Sequence, residues 1–505
     1  MMKNIFTSIL LLLVVTTAFS QKKDYNIIAY GAKADKNHLN TIAIQKAIDA
    51  ANNAGGGRVI IPDGNYVTGP IIIKSNVELH LTDNAVLLGS TNRMDFNDKL
   101  MALISAGGQQ NISMTGSGTI NGQGRELVEN VLELLSKGII TDPQWKVKRP
   151  GEKNRPTLIS FSNCDDVKVT GVTLKDASGW VQSYNKCKNV LIDSILVQST
   201  AYWNNDGIDI TDCKNVKIIN STFNAADDAV CLKSDDPNDE CNNIVVENCI
   251  LRSSASGFKL GTGSTGGFKH IRVNNIKVYN TYRSAIALES VDGAVLEDID
   301  IRNVTATNTG NAIFIRLGHR NTDNRYSTLR RVYIANVKAE IPAGKPDIGY
   351  PMEGPPPKVA PHNVVPASIT GLPGHPVEDV VLENIELNYA GGADKNIAFI
   401  STDNLGQVTE NAAGYPEFTM FGELPAWGFY VRHAAGITIK NMKVTVSTKD
   451  FRPALVFDDV NGLKLDKITI PTVNQSPAII MNKVLQPLLK DVNMPGGFKV
   501  LIIKQ

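Results

Sequence analysis

The amino-acid sequence predicts an all-β fold: a single-stranded right-handed parallel β-helix whose first end is covered by a helix. Three observations carry this. A short phrase recurs at Cys164-Asp-Asp-Val-Lys-Val, Cys187-Lys-Asn-Val-Leu-Ile, Cys213-Lys-Asn-Val-Lys-Ile and Cys241-Asn-Asn-Ile-Val-Val, at intervals of 23, 26 and 28 residues. Each repeat holds short runs of Val, Ile and Leu at period two, bounded by Asn and Gly, which marks strands and turns without helix. A chain of 505 residues ordinarily divides into several domains, whereas a solenoid adds rungs on its own neighbours without limit.

In chain order, Lys3 precedes an apolar run from Ile9 to Ala18, and the small residues Ala18 and Ser20 stand before Gln21. This reads as a leader over residues 1–20, removed on export to the periplasm or the exterior, with residues 21–505 as one β-helix unit. No later segment has 18 uninterrupted apolar residues, so stable membrane insertion is not expected. Asn40 is placed to cap a helix running to about Asn53, with Ile42, Ile44, Ala47, Ile48 and Ala51 on its apolar side. Such a helix would cover strand edges that are otherwise open. Gly55-Gly56-Gly57 ends it, and strands are expected at Arg58–Ile61, Tyr66–Val67 and Ile71–Ile73. A second helix, Glu126 to Leu135, is expected within an insertion at 124–150. The rung phrase returns at Phe268 and, loosely, near Val295, Leu329, Val377, Ile437 and Leu463. Residues 342–376, rich in Pro and Gly, read as a long loop.

Rungs stack about 4.8 Å apart, so the in-register cysteines are expected to pile up as buried thiols. Cys241 and Cys249 are the candidates for a disulfide. With 51 basic and 50 acidic side chains, the chain lacks the basic footprint of a nucleic-acid binder. No Cys/His spacing suits zinc. Asp235-Asp236-Pro237-Asn238-Asp239 lacks a full calcium ligand set and reads as a solvated loop.

The segment 202–262 carries the chemistry. Asn205-Asp206-Gly207 lies on one rung and Asp227-Asp228 on the next, 21 residues on. Asp206 and Asp227 should therefore stack on one face. Adjacent residues of a regular strand point opposite ways, so Asp227 and Asp228 share a cleft only where the chain bends. Crowded carboxylates raise one another's pKa, and glycoside hydrolysis uses a protonated acid beside an ionised base.

Ile27-Ile-Ala-Tyr-Gly-Ala-Lys, Gly55-Gly-Gly, Ile61-Pro-Asp-Gly-Asn-Tyr and Thr68-Gly-Pro, followed by Arg155-Pro-Thr-Leu-Ile, Gly179-Trp180, Asn205-Asp206-Gly207 and Asp227-Asp228, resemble glycoside hydrolase family 28, the polygalacturonase family. The likeness runs from about residue 25 to 300. It implies that Asp227 is the general acid, that Asp206 and Asp228 activate water, that the anomeric centre inverts, and that no metal or other cofactor takes part. Two motifs of the family are replaced: its Gly-His-Gly by Ala255-Ser256-Gly257, and its uronate-gripping Arg-Ile-Lys by Ala287-Leu288-Glu289. A branched or modified acidic glycan is therefore expected rather than plain polygalacturonate.

The candidate substrate-binding residues are Trp203, Asn205, Lys233, Ser256, Lys259, Tyr282, Glu289, Arg316 and His319. In Phe258-Lys259-Leu260 the apolar pair should face the core and leave Lys259 toward the cleft. The expected partner is a polysaccharide met by a monomer. The competing readings are a lyase on the same fold and a non-catalytic glycan binder.

Overall fold

The computed structural model describes residues 23–97, 101–355, 363–471, 477–496 and 499–503. The expected leader, residues 1–20, lies outside them. Strand pairing is parallel throughout the described ladders, each strand bonding to the one a rung before and a rung after it. One such file runs through Gln182–Asn185, Asp209–Thr211, Val230–Ser234 and Phe258–Ser264. Its register places Asp209 beside Cys231, Cys231 beside Lys259, and Lys259 beside Ala287. The same position continues as Phe314, Ser368, Tyr430, Val456 and Ile480. The architecture is a parallel β-helix.

Inside, Val167, Val190, Val216, Ile244, Ile271 and Ile299 stack from rung to rung, fully or almost fully buried. All six cysteines are buried free thiols. The bridge expected between Cys241 and Cys249 does not form. The two residues sit eight positions apart along one strand, Cys241–Ser253, far beyond the about 4.4–6.8 Å Cα separation a disulfide tolerates. Outside, asparagines with left-handed backbone hold the corners. Asn215 and Asn243 both have φ 58°. Their amides bond in a ladder, Asn215 to Asn189 at 3.0 Å and Asn243 to Asn215 at 2.8 Å. Asn suits this because its short side chain tolerates the left-handed region.

The first helix, α1, spans Thr41–Asn53 and packs on the opening strands through Ala43, Ile44, Ala47, Ile48 and Ala51. Ile42, assigned to the apolar side, is instead 72% exposed. Asn40 makes no side-chain cap. Its amide ties the preceding loop, accepting from Lys33 N at 2.7 Å and donating to His38 O at 2.9 Å. The second helix, α2, spans Gly124–Ser136. The stretch expected as loop at 342–376 contains a strand, Ala367–Thr370, inserted between the rungs of Val295–Leu317 and Phe429–Ala435.

A long excursion between the strands Val377–Gly391 and Phe429–Ala435 folds back over the outer face of the later rungs. Its Leu405, Val408, Phe418, Met420, Phe421 and Leu424 form an apolar cluster with Ala287, Phe314, Tyr430, Val456 and Ile480. The file position that holds Asp209 and Lys259 on earlier rungs is thus covered on later ones, where all but Ser368 are apolar.

Candidate active site

The three aspartates converge. One carboxylate oxygen from each of Asp206, Asp227 and Asp228 lies within 4.8 Å of those of the other two. The bend this requires is present: Ala226 and Asp227 form a bend before the strand Val230–Ser234, and Asp228 N donates to Asp227 Oδ1 at 3.0 Å. Asp206 is carried on the Asn205-Asp206-Gly207 turn. Asn205, completely buried, fixes that turn by accepting from Ser199 Oγ, Ala201 N and Tyr202 N and donating to Ala177 O and Gly179 O.

Two lysines flank the trio. Lys233 Nζ lies 3.5 Å from Asp206 and bonds closely to the fully buried Asp209. Lys259 Nζ lies 3.1 Å from Asp228 Oδ2 and 3.7 Å from Glu289 Oε2, with Thr262 Oγ1 donating to that same glutamate oxygen at 3.2 Å. Asp228 Oδ1 also accepts from Ser256 N at 2.9 Å. Each lysine therefore stands between one aspartate of the trio and one buried outer carboxylate.

The charges sort accordingly. Burial alone would raise Asp228, but Lys259, Arg283 and Lys233 outweigh it and hold its carboxyl below the ordinary value. Burial and then the neighbouring Asp228 raise Asp227. Burial, Asp209 and Asp227 push Asp206 well up, with Lys233 pulling against them. Burial lifts Asp209 to about 6 and Glu289 to about 7, both against the pull of their lysines. Asp227 is the least buried of the trio and makes no ion pair among the described residues. The site thus sets a carboxyl held below its ordinary value beside carboxyls held above it, the divergence acid/base chemistry needs. The oxygen spacing would also admit a cation.

The cleft has a volume of about 410 Å³ and is lined by the trio, Lys233, Lys259, Trp180, Asn204, Thr262, Gly263, Arg283, Arg320, Tyr415, Arg149 and Glu152. Of the nine candidate binding residues, Lys233 and Lys259 line it. Five others are buried in supporting roles. Asn205 fixes the turn, and Ser256 presents its backbone N–H to Asp228. Glu289 stands behind Lys259. Tyr282 is covered edge-on by Phe418 at 5.8 Å. Arg316 is a strut, donating to Gly371 O, Glu410 O and Asn411 O and so tying down the excursion. His319 lies outside the cleft in a stack with Tyr326 and His375, centroids 4.3 and 3.6 Å apart. Trp203 lies beside the cleft, with Arg149 5.6 Å over its ring.

The sequence reading missed Asp209, Arg283 and Tyr415, and it read Arg320 only as the end of the run Arg316-Leu-Gly-His319-Arg320, which could present cations to a carboxylate or sulfate. Asp209 was legible, three residues beyond Asp206 on a strand. Arg320 closed the basic run that began at Arg316, and its pairing with Asp292 at 2.6 Å fixes it at the cleft. Arg283 sits at a bulge between Thr281 and Ser284, where alternation no longer tells which way a side chain points. Tyr415 arrives from 156 residues beyond Lys259, whose Nζ lies 3.4 Å from its hydroxyl; no local pattern announces it.

The family profile described as glycosyl hydrolases family 28 matches residues 54–345. The chain is similar to the exo-poly-alpha-D-galacturonosidase of Dickeya chrysanthemi, 28% identical over 260 residues, covering 43% of each chain. It is also similar to a probable polygalacturonase of Vitis vinifera, 23% identical over 412 residues, covering 75% of this chain and 77% of that one. The match to the Dickeya protein therefore spans less than half of that relative. Among solved structures, a hyperthermoactive exopolygalacturonase from Thermotoga maritima shares the fold. Its TM-score is 0.58 at 24% identity, over 73% of this chain and 87% of that one.

Proposed function

We propose that this chain, which belongs to glycosyl hydrolases family 28, is an exported enzyme that hydrolyses O-glycosidic bonds of a pectic or related acidic polysaccharide. The observation that carries the reading is the trio Asp206, Asp227 and Asp228 around one point of a cleft ringed by Lys233, Lys259, Arg283 and Arg320. Three carboxylates supply acid and base; the cations attract a substrate that itself bears carboxylates.

In the proposed reaction Asp227 gives its proton to the leaving glycosidic oxygen as the C–O bond breaks. A water held by Asp206 and Asp228 attacks the anomeric carbon, and its proton passes to that pair. Asp227 suits the acid role because it faces the cleft with no lysine in contact. Asp228, held ionised, suits the base. The carboxylate oxygens are closer than the roughly 6.5–9.5 Å of a two-carboxylate inverting pair. With three carboxylates the water need not sit between acid and base, and inversion remains the proposed outcome. A leader over residues 1–20 supports export, and one solenoid unit acting as a monomer carries the activity.

Incubating the purified protein with pectic and algal polysaccharides, and following the first-formed anomer by NMR, tests this. New reducing ends of inverted configuration are expected. An unsaturated, ultraviolet-absorbing product would make the protein a lyase, and binding without new reducing ends would make it a glycan binder.

A further inference from the structure

The insertion between the strands Thr119–Asn121 and Thr157–Ser162 has no part in the reaction just described. Its helix α2 anchors it by burying Leu127, Val128, Val131, Leu134 and Leu135. The segment that follows, residues 137–155, carries six basic side chains and two acidic ones in a chain of near-zero net charge.

That segment has a fixed course. Asp142, one of the two acids, is spent inside it, accepting from Gly151 N at 2.6 Å, Gln144 N at 3.2 Å and Asn154 Nδ2 at 3.3 Å. Arg155 then ties the segment to the active-site turn. Its guanidinium donates to Pro150 O at 2.9 Å, Trp203 O at 2.5 Å and Asn204 Oδ1 at 2.7 Å. Asn204 in turn donates to Asp227 Oδ2 at 3.5 Å. The insertion and the proposed acid are thus held by one continuous set of hydrogen bonds.

Residues of the insertion between Asp142 and Arg155, together with Asn204, line a second cavity of about 620 Å³, with Gln144, Lys148, Lys153 and Arg155 among them. It shares Arg149, Glu152 and Asn204 with the catalytic cleft, so the two form one trough. Among the described residues, Lys148, Arg149 and Lys153 enter no ion pair, whereas the half-buried Lys186 and Lys214 do, with Asp236 and Asp239. At its other end the trough meets Tyr415, brought over Lys259 by the covering excursion.

Resting on the hydrolase reading, we propose that residues 144–153 form a second glycan-binding site, which holds carboxylated sugar units of the substrate chain remote from the bond being cleaved. Unpaired cations beside a trough that opens onto the acid are what a carboxylated chain needs to extend outward from the reacting unit. Binding energy gathered there tightens association of long chains and leaves the chemical step alone.

The test is the full-length double variant Lys148→Glu and Lys153→Glu, whose residues line the second cavity and not the catalytic cleft, compared with the charge-keeping Lys148→Arg and Lys153→Arg. Steady-state kinetics would be measured on oligouronides from the shortest one cleaved to a hexamer, with melting curves to verify folding. The acidic variant should show a KM about tenfold higher on the hexamer. Its kcat should be unchanged, and so should its KM on the shortest substrate. The charge-keeping variant should behave as the parent. A hexamer KM that does not move, or one that rises equally on the shortest substrate, overturns the site. In both cases hydrolysis continues, so the proposed reaction stands apart from this result.

Discussion

Lys259 Nζ lies 3.1 Å from the Oδ2 of Asp228, and only 2% of the lysine is exposed. An ammonium so deeply placed is kept charged by the carboxylates it faces, and it keeps Asp228 ionised in return. The same arrangement recurs one rung earlier, where Lys233 faces Asp206 and Asp209. The predictions below follow from these two lysines and from the residues that hold their surroundings.

Lys259→Met should destabilise the protein by about 3–5 kcal/mol, because it leaves Asp228 and Glu289 buried beside one another without their cation. The double variant Lys259→Met, Glu289→Gln should recover part of that loss in a thermal melt while kcat stays low. Equal melting temperatures for the parent and Lys259→Met would disprove the pairing.

Glu289 links stability to pH. Its folded pKa, near 7, lies above the 4.5 of an ordinary glutamate, because burial opposes its charge. The folded state therefore holds a proton that the unfolded chain has released. That contribution is complete below pH 4.5 and is lost as pH rises through about 7. Lys259, Asp228, Arg283 and the Thr262 hydroxyl face the group. The melting temperature of the parent should fall between pH 5 and 8 more steeply than that of Glu289→Gln; parallel curves would contradict it.

The pH dependence of kcat/KM should be bell-shaped. Asp228 loses its proton below the ordinary carboxylate value and Asp227 above it, so the productive state lies between the two. Removing Lys259 should move the acid limb upward. An unmoved limb would take Asp228 out of the base role.

Asp227→Asn should lower kcat by about 10²–10⁴, the usual worth of a positioned proton donor. The melting temperature should stay close to the parent's, since the side chain forms no ion pair among the described residues. Near-parental turnover would remove the assignment of the acid.

Arg316→Ala should act on stability rather than on KM. The guanidinium donates to three carbonyl oxygens, two of them in the covering excursion. Their loss, with the space left behind, is worth about 2–4 kcal/mol. A raised KM at unchanged stability would return Arg316 to the binding surface.

The bend that turns Asp228 into the same cleft as Asp227 was not legible in the sequence, whereas the rung repeat, the stacking of Asp206 with Asp227 and the outward turn of Lys259 between Phe258 and Leu260 were. Each of these three depends on period-two alternation and on the spacing of one coil, which are local. What covers the outside of a strand is not local. Arg316 points outward as alternation requires and Tyr282 lies in the bulge between Thr281 and Ser284, yet the excursion carrying Phe418 and Glu410 lies over both. Asn205 sits at the catalytic turn, as a binding residue would, but its polar atoms are consumed by the turn itself. Tyr415 reaches the site from a segment with no repeat to place it.

The asparagine ladder has a consequence for how such a protein changes. Asn384 donates to Asn336 across 48 residues and Asn441 to Asn384 across 57, at 2.8 Å in both, no longer than the 2.8 Å step from Asn215 to Asn243 across 28. The corner is therefore indifferent to how much chain is looped out elsewhere in the turn. Segments over the trough can lengthen, shorten or be exchanged without displacing the aspartates beneath them, so substrate choice and bond cleavage can diverge independently on one frame.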